Sequence, residues 1–373
     1  MTGETLALLS LATWLYLFFL HGWFWRSRPE LSAATPSAAP DVDIIVPARN
    51  EAPTIQVVIA SLLAQDYAGK FAVTLIDDNS SDGTALLAGA APNLAVISGQ
   101  PKPSEWSGKL WALRQGIAAT SAPVLLLTDG DVVHDRRHLS TLIARLLDPA
   151  SDMVSEMVHL NCTSAAERLL VPAYVYFFQL LYPFATVNDP HSAVAAAAGG
   201  TVLIRRHALE SAGGVDAIKG ALIDDVALAK LIKVSGPIYL GHSRLAASLR
   251  TYSSVQEIWD MIARTAFTQL RHSAALLMLT LAGLALVFLM PVCTVLFARG
   301  WGLAAGLAAY AFLTISYMPT LQRYGRSKAF ALALPLIALF YMGATTASAI
   351  NYWSGRGTVW KSRGYDANSR AGQ

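Results

Sequence analysis

The sequence predicts an α/β domain with a mainly parallel sheet, joined to transmembrane helices. Strands and helices alternate between residues 41 and 254, which is typical of a parallel sheet with helices on both faces. Polar clusters directly follow several of these strands, and long apolar runs lie at both ends of the chain. These observations predict a binding site at a sheet edge and attachment to a membrane.

The apolar runs predict membrane spans. Residues 5–25 are nearly free of charge and long enough to cross a bilayer. A signal peptide is the alternative, but the run lacks a basic start and no small-residue cleavage site follows it. Further runs at about 274–297, 300–321 and 329–350 predict about three C-terminal transmembrane helices.

The composition shifts divide the chain into segments. They are a transmembrane anchor (1–27), a linker rich in Ala, Ser and Pro (28–40), the α/β domain (41–254), an amphipathic interface segment (255–272), the C-terminal transmembrane helices (273–351) and a basic tail (352–373).

Basic residues predict the orientation. Arg26 and Arg28 follow the first span, which places that end and the α/β domain in the cytoplasm. The turn that contains Arg323, Arg326 and Lys328 falls on the same side. Three full C-terminal crossings would put the basic tail outside, so either one late segment is re-entrant or the tail is an exception to the rule. We expect a multi-pass protein of the bacterial inner membrane.

The bulk composition excludes other classes of protein. Charged residues make up 14% of the chain and the formal net charge is +3, without a Lys/Arg-rich run, so we expect no nucleic-acid partner. Cys162 and Cys293 lie far apart and lack metal-ligand spacing, which favours two reduced thiols.

Four strands and the polar residues behind them predict the site. The strands are 42–46, stopped by a proline, 71–76, 94–97 and 124–127, with helices at 54–63 and 111–119. The clusters that follow them are Pro47-Ala48-Arg49-Asn50-Glu51, Asp77-Asp78 and Asp129-Gly130-Asp131. Since ligands gather at the carboxyl ends of parallel strands, we expect these clusters to share one edge.

Each cluster also has a structural interpretation. Asn50 or Thr54 could cap a helix, and Asp77-Asp78 could form a turn. Asp-x-Asp is common by itself, but two carboxylates at a strand tip repel each other unless a cation lies between them, and a hard divalent ion suits oxygen ligands. The first turn contains no glycine, which argues against a dinucleotide-binding domain.

In this order and spacing, these residues resemble a family 2 glycosyltransferase with the nucleotide-sugar-binding GT-A fold. The resemblance implies that Pro47, Ala48, Arg49, Glu51, Asp77 and Asp78 hold the nucleoside. It implies that Asp129 and Asp131 hold Mn²⁺ or Mg²⁺ and the sugar diphosphate, with UDP the commonest nucleotide of the family. Lys109, with Trp106 and Trp111 on either side, falls where the family has a basic residue near the nucleotide; a surface lysine is the alternative.

The resemblance also implies a catalytic base. Family members carry an acidic pair, usually Glu-Asp, where this chain has Asp224 and Asp225, and the second acid is the base. A well-placed carboxylate that removes the acceptor proton contributes roughly 10²–10⁴-fold. Direct displacement would invert the anomeric carbon. A carboxylate at a helix N-terminus is the alternative role, and both roles can coexist.

Membrane-bound members carry a Gln-x-x-Arg-Trp element before their C-terminal spans. Here Arg264, Gln269 and Arg271 have a different spacing and no Trp follows. An amphipathic interface helix, with Arg264 and Arg271 facing phosphate or lipid headgroups, is the plainer interpretation.

The chain resembles the bacterial hopene-associated glycosyltransferases more closely. The matching stretches are 182–190, 195–200 and the tail 360–365. This subfamily implies a polycyclic or polyprenyl lipid acceptor. Gly199 and Gly200 would let backbone approach the sugar, or they form a tight turn. The aromatic run 171–181 forms a wall of the lipid entrance, packs in the core or belongs to a helix that lies on the membrane.

We therefore expect a metal-dependent, inverting enzyme that moves a sugar to a membrane lipid such as a hopanoid, polyprenyl or carotenoid. A processive polysaccharide synthase is the alternative, but it needs more spans and an intact Gln-x-x-Arg-Trp element. A nucleotide-sugar-binding pseudoenzyme is another, but it would be expected to lose a metal ligand or the base. A transporter is disfavoured, because the late spans contain almost no ionisable residues.

Overall fold

A computed structural model describes residues 3–148, 150–355, 358–360 and 363–365. The described residues fall into two compact units. The sheet unit comprises the described residues of Pro29–Asn161 and Thr186–Arg250. The helical unit comprises the described residues up to Arg28, Cys162–Ala185 and the described residues after Arg250.

The helices follow the apolar periodicity of the chain. In chain order they are α1 (Gly3–Phe19), α2 (Ile55–Leu63), α3 (Thr84–Leu87), α4 (Gly108–Ala118), α5 (His138–Leu147), α6 (Ala165–Leu181), α7 (Phe184–Asn188), α8 (Arg206–Ser211), α9 (Asp224–Lys233), α10 (Val255–Gln269), α11 (Ala274–Leu284), α12 (Met290–Phe297), α13 (Gly300–Arg323) and α14 (Leu334–Trp353).

The strands are β1 (Val42–Ala48), β2 (Phe71–Asp77), β3 (Leu94–Ser98), β4 (Val124–Thr128), β5 (Val132–His134), β6 (Met153–His159), β7 (Thr201–Arg205), β8 (Ile238–Ser248), β9 (Thr358–Trp360) and β10 (Arg363–Tyr365). In the described part of the sheet unit, eight of them form one sheet in the order β3-β2-β1-β4-β7-β6-β8-β5. Strands β9 and β10 form an antiparallel hairpin.

The sheet is parallel on one side and mixed on the other. Strands β3, β2, β1 and β4 are parallel, as the alternation of strands and helices predicts. Strand β7 is antiparallel to both β4 and β6, and β5 is antiparallel to β8. The predicted α/β fold is therefore confirmed, with a mixed half that the sequence patterns did not indicate.

Apolar residues from the strands and the covering helices form the core of the sheet unit. Ile44 of β1, Leu75 of β2 and Leu126 of β4 are fully buried, and Leu142 of α5 packs in the same cluster. All five residues of β4 are buried, which explains its unbroken apolar run.

Pro47 does not stop β1, contrary to the sequence prediction. The strand continues to Ala48, and Pro47 lies opposite Ile76 of β2. The ladder with β4 ends at Ile45, so Pro47 stands where β1 pairs with β2 only. The missing amide proton of the proline therefore interrupts no bond to β4.

The helical unit contains the predicted membrane spans. Within the described residues, three helical segments are long and apolar enough to cross a bilayer: Ala274–Phe297, Gly300–Arg323 and Lys328–Trp353. Helix α1 is shorter, at 17 residues. In the first of the three segments, a π-helical stretch at Ala285–Leu289 separates α11 from α12.

Helix α1 is bonded to this π-helical stretch. The Ser10 hydroxyl donates to the carbonyl of Leu286 at 2.8 Å, and Trp14 Nε1 donates to that of Val287 at 2.7 Å. Both donors are buried. A π-helical insertion frees backbone carbonyls that must find other partners, and α1 supplies them.

Helix α6 belongs to the helical unit, although residues 162–185 lie inside the continuous 41–254 segment of the sequence prediction. The Tyr176 hydroxyl is bonded to that of Ser316 at 2.8 Å, and the Tyr341 hydroxyl donates to the carbonyl of Leu170 at 2.9 Å. The aromatic run of α6 is thus largely used in packing against α13 and α14. Of the tail motif at 360–365, Lys361 and Ser362 lie outside the described residues.

Candidate active site

The predicted polar clusters lie at the carboxyl ends of three neighbouring parallel strands. Arg49 and Glu51 follow β1, Asp78 follows β2, and Asp129 and Asp131 follow β4. Strand β1 lies between β2 and β4 in the sheet. The structure therefore brings the three clusters together at one edge, which we call the acidic edge.

Arg49 ties the loop after β1 to the loop after β2. Its Nη1 donates to the carbonyl oxygens of Asp78 and Asn79, at 2.5 and 3.2 Å. The same nitrogen lies 3.9 Å from the Asp78 carboxylate. Asp78 N in turn donates to the carbonyl of Ala48 at 2.8 Å, so the two loops hold each other.

The residues after Arg49 add further bonds between these loops. Asn50 adopts a left-handed conformation with φ 51°. Its amide donates to Ser80 Oγ at 3.0 Å, and its side-chain oxygen accepts from the amide of Ser81 at 2.9 Å. Glu51 N donates to Thr84 Oγ1 at 2.8 Å. The cluster after β1 is therefore a shaped loop and not a simple helix cap.

Asp82 completes this loop pair. Its carboxylate accepts from the amide of Ala52 at 2.9 Å and from the amide and hydroxyl of Thr84 at 3.1 and 2.5 Å. Partial burial alone would raise the pKa of Asp82, but the hydrogen bond from the Thr84 side chain and those from the backbone amides outweigh it and lower the pKa.

Asp77 presents a buried acceptor atom without a partner. The residue is 8% exposed, and its Oδ2 accepts a long bond of 3.4 Å from the amide of Ser80. Among the described residues, nothing donates a hydrogen bond to its Oδ1. A buried, unpaired carboxylate oxygen costs free energy, and an N–H or O–H group of a ligand would remove that cost.

Lys109 links the acidic edge to the Asp224-Asp225 pair. Its Nζ lies 2.8 Å from Asp129 Oδ1 and 3.3 Å from Asp224 Oδ2, and it donates to the carbonyl of Gly199 at 3.3 Å. Burial alone would lower the pKa of Lys109, but the Asp129 and Asp224 carboxylates raise it above its usual value. The ammonium group is therefore charged at neutral pH and offsets the repulsion between these acids.

Helix α4 holds Lys109 in place near its N-terminus. The Ser107 hydroxyl caps the helix by accepting from the amide of Leu110 at 3.3 Å. Trp106 and Trp111, the tryptophans that flank Lys109 in the sequence, pack edge to face with ring centroids 5.3 Å apart. Lys109 is thus part of an ordered helix start, which argues against a freely moving surface lysine.

Asp225 is held at the start of helix α9. Its Oδ1 accepts from the amide of Val226 at 2.7 Å, and its carboxylate also accepts from the amide of Gly199. Burial and the neighbouring Asp224 carboxylate raise the pKa of Asp225 to about 7, against the lowering effect of Lys109. A carboxylate with such a pKa can accept a proton near neutral pH.

Gly199 allows the backbone to approach Asp225 closely. A Cβ atom on Gly199 would lie 3.1 Å from Asp225 Oδ2. A Cβ atom on Gly200 would lie 3.1 Å from Val158 Cγ2. The carbonyl of Gly200 accepts from Thr128 Oγ1 at 2.9 Å and from the amide of Asp129 at 3.2 Å. The glycine pair therefore joins the acidic edge to Asp225.

The carboxylates of Asp129 and Asp131 suit a divalent cation that takes its other ligands from a substrate. Among the described residues, no group of three or more His, Cys, Asp or Glu side chains forms a ready metal site. Mg²⁺ is usually bound through one or two carboxylates together with phosphate oxygens and water. Two hard carboxylate donors at a strand tip fit that chemistry.

A cleft lies among the same groups. Its polar walls come from Lys109, Thr128, Gly199, Asp224 and Asp225. The remaining lining is apolar: Pro47, Leu110, Leu113, Leu127, Val202, Val215 and Leu228. Pro47 is therefore a wall of this cleft, and a mostly apolar lining with a few convergent polar groups is typical of a ligand site.

Arg264, Gln269 and Arg271 belong to the helical unit. Arg264 and Gln269 lie on α10, and Gln269 Nε2 donates to the Tyr182 hydroxyl. The prediction that Arg264 and Arg271 share one helix is wrong. Helix α10 ends at Gln269 because Arg271 and His272 adopt left-handed conformations, with φ 51° and 53°.

Sequence patterns missed several groups that shape the site. Thr54 starts α2, but its hydroxyl donates to the carbonyl of Gly130 at 2.9 Å instead of capping the helix. Thr128 bonds to Gly200, which lies far away in the sequence. The position of Thr128 directly before the Asp-x-Asp motif was the available signal; its partner depends on the antiparallel pairing of β4 and β7.

Comparison with known proteins identifies a family. The family model described as Glycosyl transferase family 21 matches residues 5–371. The expected family 2 is therefore corrected to family 21. The motifs behind that expectation follow from the chemistry needed at the strand ends, and they did not separate these two families of glycosyltransferases.

Curated relatives match parts of the chain. An N-acetylglucosaminyltransferase from Neorhizobium galegae is 30% identical over 39% of this chain and 33% of its own length. One from Bradyrhizobium elkanii is 31% identical over 30% of this chain and 62% of its length. Glycosyltransferase AglE from Haloferax volcanii is 30% identical over 35% of this chain and 45% of its length. The chain thus spans between one third and two thirds of each of these relatives.

A solved structure resembles nearly the whole chain. The mannosyltransferase PcManGT from Pyrobaculum calidifontis, in complex with GDP-Man and Mn²⁺, has a TM-score of 0.56 and 22% identity. The likeness covers 94% of this chain and 98% of that chain. It confirms the predicted GT-A fold.

Proposed function

The chain belongs to glycosyl transferase family 21, and we propose that it moves one sugar from a nucleotide-diphosphate sugar to a membrane lipid. The observation that carries the proposal is the arrangement around Lys109. The Lys109 ammonium contacts Asp129, which belongs to the acidic edge, and Asp224. Asp224 is followed by Asp225, whose pKa is raised. A group for the leaving diphosphate and a group for the acceptor proton thus lie on either side of one cation.

The loops after β1 and β2 bind the nucleoside in this proposal. Asp77 Oδ1 is a buried acceptor without a protein donor, so it is suited to an N–H or O–H group of the base or ribose. Arg49 and Asp78 hold the two loops together, and Pro47, Ala48 and Glu51 shape the side of the site next to them. UDP is our first choice of nucleotide, and GDP is the alternative that the mannosyltransferase complex supports.

Asp129 and Asp131 would hold Mn²⁺ or Mg²⁺ together with the diphosphate. When bound, such an ion supplies positive charge that stabilises the departing diphosphate. Lys109 adds a fixed positive charge next to Asp129. The Mn²⁺ in the mannosyltransferase complex supports this choice of cofactor.

Asp225 acts as the base in the proposed mechanism. It removes the proton of the acceptor hydroxyl as the oxygen attacks the anomeric carbon, and the configuration inverts in one displacement. Asp224 keeps the Asp225 pKa high, and Lys109 limits that rise. Gly199 and Gly200 keep the backbone close to the sugar, because side chains there would fill the space beside Asp225 and Val158.

The proposed acceptor is a lipid of the hopanoid, polyprenyl or carotenoid type. The three long apolar helical segments support a multi-pass protein of the bacterial inner membrane, with the sheet unit in the cytoplasm. The sequence likeness to the hopene-associated glycosyltransferases in the stretches 182–190 and 195–200 supports a polycyclic acceptor. Arg264 and Arg271 are suited to lipid headgroups or phosphate.

The test is transfer of radiolabelled sugar by membranes that contain the protein. UDP- and GDP-sugars are each supplied with Mn²⁺, and lipids from cells with and without the gene are compared by mass spectrometry. We expect one new glycolipid that carries a single sugar and is absent with Asp225→Asn. Label in a long water-soluble polymer would indicate a polysaccharide synthase instead. Binding of nucleotide sugar without any transfer would indicate a pseudoenzyme.

A further inference from the structure

A chain of buried polar side chains lies behind the acidic edge and has no place in the mechanism above. It consists of Glu156 on β6, His138 at the start of α5, and His134 on β5. Their exposed fractions are 0%, 1% and 6%. Burying three titratable groups costs free energy that apolar side chains would not, so this placement calls for a physical explanation.

These polar side chains are linked without a break from Glu156 to the active site. His138 Nε2 is bonded to Glu156 Oε1, and the Nδ1 atoms of His138 and His134 lie 3.1 Å apart. His134 Nε2 lies 3.1 Å from Thr128 Oγ1. The Thr128 hydroxyl reaches the carbonyl of Gly200 at 2.9 Å.

The available protons determine which group donates and which accepts in each of these hydrogen bonds. The carbonyl of Gly200 can only accept, so the Thr128 hydroxyl donates to it, and His134 Nε2–H donates to the Thr128 oxygen. His134 Nδ1 must then accept from His138 Nδ1–H. His138 Nε2 and Glu156 share one further proton. In this order His134 is neutral, which agrees with its burial and the neighbouring His138, both of which lower the pKa of His134 well below its usual value.

We propose that Glu156, His138 and His134 are positioning residues for the transfer reaction, acting through Thr128 on the Gly199-Gly200 backbone. The Gly200 carbonyl that receives this chain also accepts from the amide of Asp129 at 3.2 Å. The amide of Gly199 donates to Asp225. The hydrogen-bonded side chains therefore fix the Gly199-Gly200 backbone between Asp129 and Asp225. This positioning role rests on the function proposed above.

The test compares two substitutions of Glu156 in the full-length protein. In Glu156→Gln, the amide N–H can donate to His138 Nε2, so the proton order is kept and kcat stays close to wild type. In Glu156→Met, a side chain of similar size cannot bond to His138. We expect kcat to fall by at least roughly 10-fold, because misplacement by 1 Å can cost about 10²-fold. The KM for the nucleotide sugar should change little.

Asp43→Val is the control for loss of a partly buried polar group that lies away from the site. Asp43 lies at the opposite end of β1, where its carboxylate accepts from the amides of Ser121 and Ala122 at 2.9 and 2.7 Å. We expect this variant to lower the melting temperature and to leave kcat per folded molecule unchanged. If Glu156→Met behaves in the same way, or if Glu156→Gln loses as much kcat as Glu156→Met, the positioning role is refuted.

¹⁵N-histidine NMR tests the proton order independently of activity. We expect His134 to be neutral and protonated on Nε2 at pH 7, and a proton on Nδ1 would overturn the proposed chain. Wild-type protein that transfers sugar from no nucleotide sugar would refute the proposed function and the positioning role with it. Active wild-type protein with an unaltered Glu156→Met variant would refute the positioning role alone.

Discussion

Lys109 determines the charge balance of the site at the scale of single residues. It lies within 3.3 Å of carboxylates from two separate parts of the chain, Asp129 and Asp224. These acids would repel each other without it. Asp225, beside Asp224, keeps a raised pKa because it is buried and because Asp224 is its neighbour. One positive charge thus lies between Asp129 and the Asp224-Asp225 pair, while the pKa of Asp225 stays raised.

This arrangement predicts how activity depends on pH. Only the carboxylate form of Asp225 can accept a proton, and its pKa is about 7 in the free protein. We therefore expect kcat/KM to rise about tenfold per pH unit below that value and to level off above it. The measurement is kcat/KM for sugar transfer between pH 5 and 9.

Asp225→Asn is the matched variant for this profile. It keeps the size of the side chain but cannot accept the proton, so we expect a loss of roughly 10²–10⁴-fold in kcat, with nucleotide-sugar binding retained and the acidic limb absent. A variant with normal rates, or with the wild-type acidic limb, would remove Asp225 from the mechanism.

At the scale of elements, the loops after β1 and β2 depend on one another. Asp82, on the loop between β2 and α3, bonds to Ala52 and Thr84, and Thr84 bonds to the amide of Glu51. The loop after β1 therefore owes its shape to the loop after β2.

Asp82→Ala removes hydrogen bonds that hold the loops after β1 and β2 together, and it leaves Asp225 unchanged. We expect the KM for the nucleotide sugar to rise by roughly 10-fold, the equivalent of one or two hydrogen bonds, with kcat nearly unchanged. Steady-state kinetics in both substrates would show this. An equal fall in kcat with constant KM would contradict the assigned role.

In the helical unit, α1 stabilises the π-helical stretch Ala285–Leu289 between α11 and α12. Trp14→Phe removes the donor to the carbonyl of Val287 and leaves that carbonyl unsatisfied in apolar surroundings. We expect a loss of about 1–3 kcal/mol in the free energy of unfolding, seen as a lower melting temperature in detergent. Tyr16→Phe on the exposed side of α1 is the control and should have no effect. Equal melting temperatures for both variants would exclude a role of this bond.

Much of the acidic edge could be predicted because parallel strands bring their carboxyl ends together. The prediction placed Arg49, Asp78 and Asp129 at one edge from the order of apolar runs alone. It could not find the bond between Thr128 and Gly200, since the antiparallel position of β7 depends on long-range pairing. His134 and His138 lie in ordinary strand and helix starts, and no local pattern indicates that Glu156 joins them.

At the scale of the whole molecule, the two units interrupt each other along the chain. The segment 162–185 leaves the sheet unit and belongs to the helical unit, where Gln179 bonds to Thr320 and Tyr176 to Ser316. An aromatic run of this kind resembles a buried helix of any domain. Length and hydropathy alone therefore could not assign α6 to the helical unit.

This division predicts the behaviour of fragments. A fragment of residues 29–250 retains α6 but lacks α13 and α14, so its aromatic side chains lose their partners. We expect it to aggregate without detergent, while the full chain is monodisperse in detergent by size-exclusion chromatography. A soluble, monomeric fragment would contradict the assignment of α6 to the helical unit.

In the proposed function, the acidic edge binds a nucleoside diphosphate through a divalent cation held by Asp129 and Asp131. The most direct measurement is isothermal titration of UDP and of GDP into the detergent-solubilised protein, with Mn²⁺ and with EDTA. We predict Mn²⁺-dependent binding of one of them that is lost in folded Asp129→Ala and Asp131→Ala variants. Unchanged affinity in both variants, or equal wild-type affinity in EDTA, would contradict binding through a cation at Asp129 and Asp131.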